Sequence, residues 1–282
     1  MRYLGLPVLL FLSVLSVAAQ PPFPGREDIA NFMKSTTCVV LEDDAFSAYN
    51  ILIKEAVTEF WDIRPYEFIT EEEFDERRRD PSFSFIVLTE TTYDRDKSGS
   101  AYNNLNLLQG KKVGGINQMP EICVIPLSSS SEEDIDYGYK TGAVLRFIQR
   151  HALMISESPS VTGRRYLRYY NRNIPLIAQK TILARESDLA PSVNTAEKIK
   201  ALYPNSFSIV DEEEIIRAIE ERRPGTLVLH RVGPVGDDGA GYCFKMLIGA
   251  DDSEMYYYDQ HLIDAANPNG LLPSDLKRLM RY

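Results

Sequence analysis

Few residues of this chain have the types and spacing that chemistry demands. Asp94-Arg95-Asp96-Lys97-Ser98-Gly99 sets oxygen donors at loop positions 1, 3 and 5 and glycine at 6, the front half of a calcium loop. The bidentate glutamate belongs at position 12, where Leu105 stands, so the segment reads as a polar hairpin turn. Glu71–Glu73 and Glu212–Glu214 are acidic triplets of the kind that could supply paired carboxylates for acid–base work. Each opens a helix, where free backbone N–H groups and the helix dipole favour negative charge, and that accounts for them without catalysis. Gly236-Asp237-Asp238-Gly239-Ala240-Gly241 is rich in glycine, but no helix follows it to hold a phosphate, so it reads as a hairpin tip.

The chain has three histidines, His151, His230 and His261, and three cysteines, Cys38, Cys123 and Cys243. Consecutive hairpins near the C-terminus would set His261 across from Cys243 and His230 nearer Phe244, on the opposite face. Two convergent ligands do not make a zinc site, and a thiol in the middle of an apolar strand is usually inert. All three cysteines lie in such runs and read as small buried thiols. A Cys38–Cys123 disulfide is the alternative that an oxidising compartment permits. The expectation is therefore no catalytic residue, no cofactor and no metal site.

One local anomaly stands out. The chain carries 41 acidic and 31 basic residues. Yet Lys140, Arg146, Arg150, Arg164, Arg165, Arg168, Arg172 and Lys180 follow one another with only Glu157 against them, interleaved with Tyr166, Tyr169 and Tyr170. Such a reversal marks either a site for an anionic partner or a bridge neutralised by the acidic faces of its own molecule. Arg164, Arg165, Arg168 and Arg172 are the candidate binding residues, for an envelope protein or an anionic cell-wall component. The acidic balance argues against nucleic acid.

The elements that must position these residues follow from a repeat. Pro65–Phe74 aligns with Ser206–Ile215, and at the same offset Ile86-Val87-Leu88 aligns with Leu227-Val228-Leu229. In the first copy, strands are expected at 37–41, 66–69, 84–89, 104–108 and 122–127. A helix with apolar residues at Phe46, Tyr49, Leu52, Ile53, Ala56, Val57, Phe60 and Trp61 lies between the first two. Thr70 and Glu73 form a capping box before a short helix. The second copy repeats the order, with a strand at 176–183, a helix at 195–203, a strand at 207–210, Asp211 capping with Glu214 in the place of Glu73, and strands at 226–232, 242–248 and 255–263. Ser128–Glu133 reads as a polar linker, and helices are expected at 136–156 and 273–280. The fold class is therefore α+β, two tandem β-α-β-α-β-β-β units with mixed sheets and helices packed on one face. The units span 36–133 and 175–282, with a bridging helix and basic linker over 134–174.

Residues 1–19 read as a signal peptide: Arg2, the apolar run Leu4–Val17, then Val17-Ala18-Ala19 before a cut near Ala19. The run is shorter than the roughly 20 residues that span a bilayer. No later segment is apolar enough to cross, so the mature chain is expected in the periplasm or secreted.

This signal ending in Ala19-Gln20, together with Tyr66-Glu67-Phe68-Ile69-Thr70-x-x-Glu73-Phe74, resembles a family of secreted proteins of Bacteroidota-type bacteria. The likeness implies no particular activity. The element order, with Phe207-Ser208-Ile209-Val210-Asp211, is also similar to a periplasmic domain. It occurs in the Tol-system protein, the curli secretion channel and the lipoprotein activators of cell-wall synthases. That resemblance implies protein–protein work in the envelope and no catalytic residue. The expected function is an exported, non-catalytic interaction or assembly component. The alternative is a hydrolase or small-molecule binding protein using a cleft between the units.

Overall fold

The computed structural model describes residues 23–130, 138–163, 166–234 and 239–281. The expected signal peptide, Arg164, Arg165, the end of the Ser128–Glu133 linker and part of the glycine-rich tip lie outside the described residues.

Two five-stranded mixed sheets with helices make the fold α+β. The first sheet is built from β1 (Thr36–Val40), β2 (Tyr66–Ile69), β3 (Phe83–Thr92), β4 (Ala101–Gln109) and β5 (Glu121–Ser129), in the order β2-β1-β3-β4-β5. The second uses β6 (Thr181–Ala184), β7 (Phe207–Ile209), β8 (Thr226–Val232), β9 (Tyr242–Gly249) and β10 (Met255–Leu262), in the equivalent order β7-β6-β8-β9-β10. In both, the first strand runs parallel to its two neighbours and the last three form antiparallel hairpins. The duplicated segment of sequence is thus a duplicated topology.

The expected elements differ from these in three places. Helix α1 (Arg26–Phe32) precedes the first unit, and its Phe32 is fully buried. Residues expected to open β6 instead form a 3-10 helix over Tyr170–Gln179. Pro175 there offers no N–H to a sheet ladder, which favours the turn. Ser128 and Ser129 belong to β5 and not to a linker, because β4 supplies Asn103 and Tyr102 as their pairing partners.

Helices lie on both faces of each sheet, where a single covered face was expected. Strand alternation decides this. In β1, Val39 points toward α2 (Ala48–Phe60), whose Tyr49, Ile53 and Val57 share its core, while Cys38 and Val40 point to the opposite side with Phe74 of α3 (Glu71–Arg77). The second unit repeats the split. Ile182 and Leu227 pack with Ile199 of α6 (Ala196–Lys200), and Leu183 and Val228 with Ile215, Ala218 and Ile219 of α7 (Glu212–Glu220). Cys38 and Cys123 therefore sit in separate cores on opposite faces of the first sheet. All three thiols are free and buried.

The units stack in the same sense, like successive repeats. The α2 face of the first sheet and helix α4 (Thr141–Glu157) share one core with Val232, Phe244, Met246, Ile248 and Tyr258, which lie on the α7 face of the second sheet. Helix α4 approaches α2 closely enough that a Cβ on Gly142 would come within 2.7 Å of the Phe60 ring. At the other end of the contact, Tyr102 accepts a hydrogen bond from the Tyr242 N–H at 2.6 Å and donates one to its carbonyl at 3.1 Å. Gly241 makes this approach possible: its φ is +136°, and a Cβ there would stand 2.4 Å from the Tyr102 hydroxyl.

The acidic triplets open α3 and α7 as the capping argument requires. Thr70 and Glu73 bond reciprocally, at 3.2 and 3.0 Å. At the second copy Asp211 accepts from the Glu214 N–H at 2.9 Å, but the Glu214 carboxylate turns to Arg217 and Arg223 at 3.1 and 2.6 Å. Charged donors compete better for it than a neutral amide. Thr70→Ala and Asp211→Ala should each lower stability by about 1 kcal/mol in denaturant titration. No loss in either would show that the duplicated caps contribute nothing.

Candidate functional site

The basic side chains of the bridge are largely held by their own molecule, and the ion-pair and carbonyl partners described for them lie in the second unit. Lys140 lies 4.0 Å from Asp188, and Lys180 lies 3.8 Å from Asp252. Arg150 pairs with Glu254. Arg146 is buried and donates to the carbonyls of Ala250 and Asp251 at 3.1 and 2.7 Å. Of the four candidate arginines, Arg164 and Arg165 are outside the described residues. Arg168, on the single turn α5 (Tyr166–Tyr169), reaches Asp259 at 3.3 Å and stays 40% exposed. Arg172 is exposed and stacks on the Tyr169 ring, 3.9 Å from its centre.

Arg168 leads to a place that the sequence reading missed. Asp259 also receives Arg278, at 3.5 Å, from helix α8 (Pro273–Leu279). Between β10 and α8 lies an open depression of about 220 Å³, lined by Tyr257, Asp259, Ser274, Asp275, Arg278 and Arg281. Two guanidinium groups, those of Arg168 and Arg278, thus share one solvent-reachable carboxylate, and Arg281 lines the same depression. The signal available in the sequence is Lys277-Arg278 and Arg281 at the end of a helix, a common place for cations. Nothing in the sequence shows that this end meets the bridge.

Strand register builds the floor. On one face of the second sheet, Leu229, Leu247 and Tyr257 form an apolar row. Two residues along, Arg231, Lys245 and Asp259 form a charged row, and beyond it His261 pairs with Cys243. His261 opposite Cys243 is as the hairpins require, whereas His230 pairs with Met246, two residues from Phe244. Lys245 is fully buried and bonds Asp275 at 2.6 Å, and Asp275 also accepts from the Tyr257 hydroxyl at 2.6 Å and the Leu272 N–H at 2.7 Å. Burial first, and then the Asp275 charge, pushes the Tyr257 phenol well up, so it remains a donor.

A second buried network adjoins the row. Asp188, fully buried, receives Arg185 at 3.2 Å and Arg231 at 3.1 Å, with Lys140 at 4.0 Å. Burial alone would raise its carboxyl, but Lys140, Arg231 and Arg185 override that and hold it below the usual range. These groups neutralise one another inside the protein, which suits a structural role.

The thiols are tuned away from reactivity. Burial, then the Glu67 charge, pushes Cys38 up to about 12, and burial raises Cys123 and Cys243. Among the described residues no group of three or more His, Cys, Asp or Glu is placed to hold a metal ion. The Asp94–Gly99 loop uses Asp96 internally, where it accepts from the Ser98 N–H at 2.9 Å. Where the units meet there is packed core: Tyr93, Tyr102 and Phe244 stack with ring centres 5.4 to 5.5 Å apart.

Fold and site together define an α+β protein of two stacked mixed-sheet units with an arginine-rimmed surface depression. Comparison with protein-family models, curated proteins and solved structures returns no match for the chain. Among the described residues, no helix is long and apolar enough to cross a membrane.

Proposed function

We propose that this is an exported, non-catalytic interaction or assembly protein of the bacterial envelope, and that it holds an anionic partner at the bridge. The binding surface is Arg168 and Arg172, preceded in the sequence by Arg164 and Arg165, and extended by Arg278 and Arg281. The observation that carries this reading is the sharing of Asp259 by Arg168 and Arg278 at the mouth of the depression. Both contacts exceed 3.2 Å and both side chains are about two-fifths exposed, so an incoming anion meets cationic groups that water already reaches. An exposed pair of this kind contributes little on its own, roughly 0–1 kcal/mol, so its rearrangement opposes binding weakly.

The test uses the chain from Gln20 onward, immobilised and exposed to the solubilised envelope of its own cells. The reading expects an anionic component that is retained at low salt and released at about 0.5 M, where screening shortens electrostatic reach. Arg168→Glu/Arg278→Glu should reduce retention by about tenfold or more, a loss of at least ~1.4 kcal/mol. Retention that ignores both salt and the substitutions would overturn the arginine surface. A protein that keeps its first 19 residues in the cell, by mass spectrometry of its N-terminus, would overturn export.

A further inference from the structure

A strand that ends a sheet presents unpaired N–H and C=O groups, a template onto which another chain can pair. β5 and β10 each end a sheet here, and neither edge is bare. On β5, the Tyr166 hydroxyl accepts from the Val124 N–H at 2.6 Å and donates to the Val124 carbonyl at 2.9 Å. The same strand carries Pro126, which has no N–H to offer, and the Pro126 carbonyl meets the His230 ring at 2.9 Å. On β10, Asn171 does what the peptide group of a neighbouring strand would do. Its Oδ1 accepts from the Tyr258 N–H at 2.7 Å and its Nδ2 donates to the Tyr258 carbonyl at 3.0 Å. Asn173 donates to the Met255 carbonyl at 2.8 Å.

Three of these caps, Tyr166, Asn171 and Asn173, come from one short stretch of the bridge. Arg168 and Arg172 alternate with them and stay exposed. We infer that the stretch Tyr166–Asn173 is an edge seal, which substitutes side chains for a further strand on both sheets and so keeps a second copy of the chain from pairing there. The partner excluded is another copy because β10 itself supplies the matching template. It is eight residues long and carries Tyr256-Tyr257-Tyr258, aromatic residues that favour strands. Two such edges, uncovered, could pair antiparallel with each other.

The competing account is that the caps only satisfy local polar groups, as buried groups require. Self-association separates the two. Asn171→Ala/Asn173→Ala opens β10, and Tyr166→Phe opens β5 by removing one hydroxyl and little else. Each is measured by light scattering over a concentration series, with hydrogen exchange at the Tyr258 and Val124 amides. The wild type should show no association through these edges. In a variant that keeps its circular dichroism, the uncapped amide should exchange at least about tenfold faster when dilute, the local opening free energy having fallen. It should be protected again, with a rise in mass, as concentration increases. Faster exchange with no rise in mass in both variants would overturn the seal and leave local satisfaction. Wild-type pairing through β10 would overturn it too. Should the double variant not fold, Asn171→Ala alone decides, because Pro126 and the His230 ring still block β5 in Tyr166→Phe.

Discussion

Acidification below about pH 6 should unfold this protein steeply, because two buried histidines are held neutral. His151 and His230 are each displaced from 6.5 to about 3, chiefly by burial. His151, on the buried face of α4, sits 2.8 Å from the Tyr170 hydroxyl. His230 crosses from the second unit to the Pro126 carbonyl of the first, and its Nδ1 has no hydrogen-bond partner among the described residues. The unfolded chain takes up these protons below pH 6.5 and the folded chain does not until about pH 3. Stability is therefore fully present above 6.5 and lost as pH falls, by about 1.4 kcal/mol per pH unit for each histidine.

Glu121 acts in the other direction. Burial raises its carboxyl from 4.5 to about 7, so its contribution is present below 4.5 and is lost as pH rises toward 7. Between pH 6.5 and 4.5 the two histidines outweigh the one carboxyl, leaving a net loss of about 1.4 kcal/mol per unit. Below 4.5 the opposing contribution ends and the slope should double. Melting temperature measured from pH 8 to 3 checks this. His151→Gln/His230→Gln should flatten the acid limb, and Glu121→Gln should steepen it between pH 7 and 4.5. A wild-type protein with constant melting temperature from pH 6.5 to 4 would contradict the assignment of both rings as neutral.

The second large effect concerns Lys245 and Asp275. Lys245→Met leaves the Asp275 carboxylate buried without its cation, which should cost about 3–5 kcal/mol. For a chain of this size that is roughly 10 °C in melting temperature. Lys245→Met/Asp275→Asn should recover at least half of the loss. The amide removes the charge; its oxygen still accepts from the Leu272 N–H, now made at 2.7 Å, and its NH2 group donates to the Tyr257 hydroxyl, which turns from donor to acceptor. Wild-type stability in the single variant would mean that water reaches Asp275 from the depression above it. The comparison matters for the proposed surface, since Asp275 lines its floor and must stay neutralised for an anion to approach.

Much of the architecture is legible in the residues. Apolar spacing from Tyr49 to Phe60 places α2, and β-branched runs place β1 and β8 and the start of β3 within one residue. Thr70 and Asp211 mark helix starts through bonds that close within three residues. The segment expected as strand but helical, 176–179, carries Leu176 and Ile177 directly after Pro175, and short apolar runs do not separate strand from turn. Covered faces were misjudged for a different reason. Both parities of β1 are apolar, Val39 on one side and Cys38 and Val40 on the other, and only placed helices show that each side is used.

By itself the sequence determined the elements, their order, the repeat and the local reversal of charge, because these depend on bonds and periodicities within a few residues. The tertiary structure alone decided how the units stack, which charges are spent inside and which face water. Asp188 meets Lys140 and Arg231, Lys245 meets Asp275, and Arg168 meets Arg278 across Asp259. Each of these contacts joins residues far apart in the chain, and the balance between burial and pairing that fixes them exists only once the second sheet, its helices and the bridge are packed.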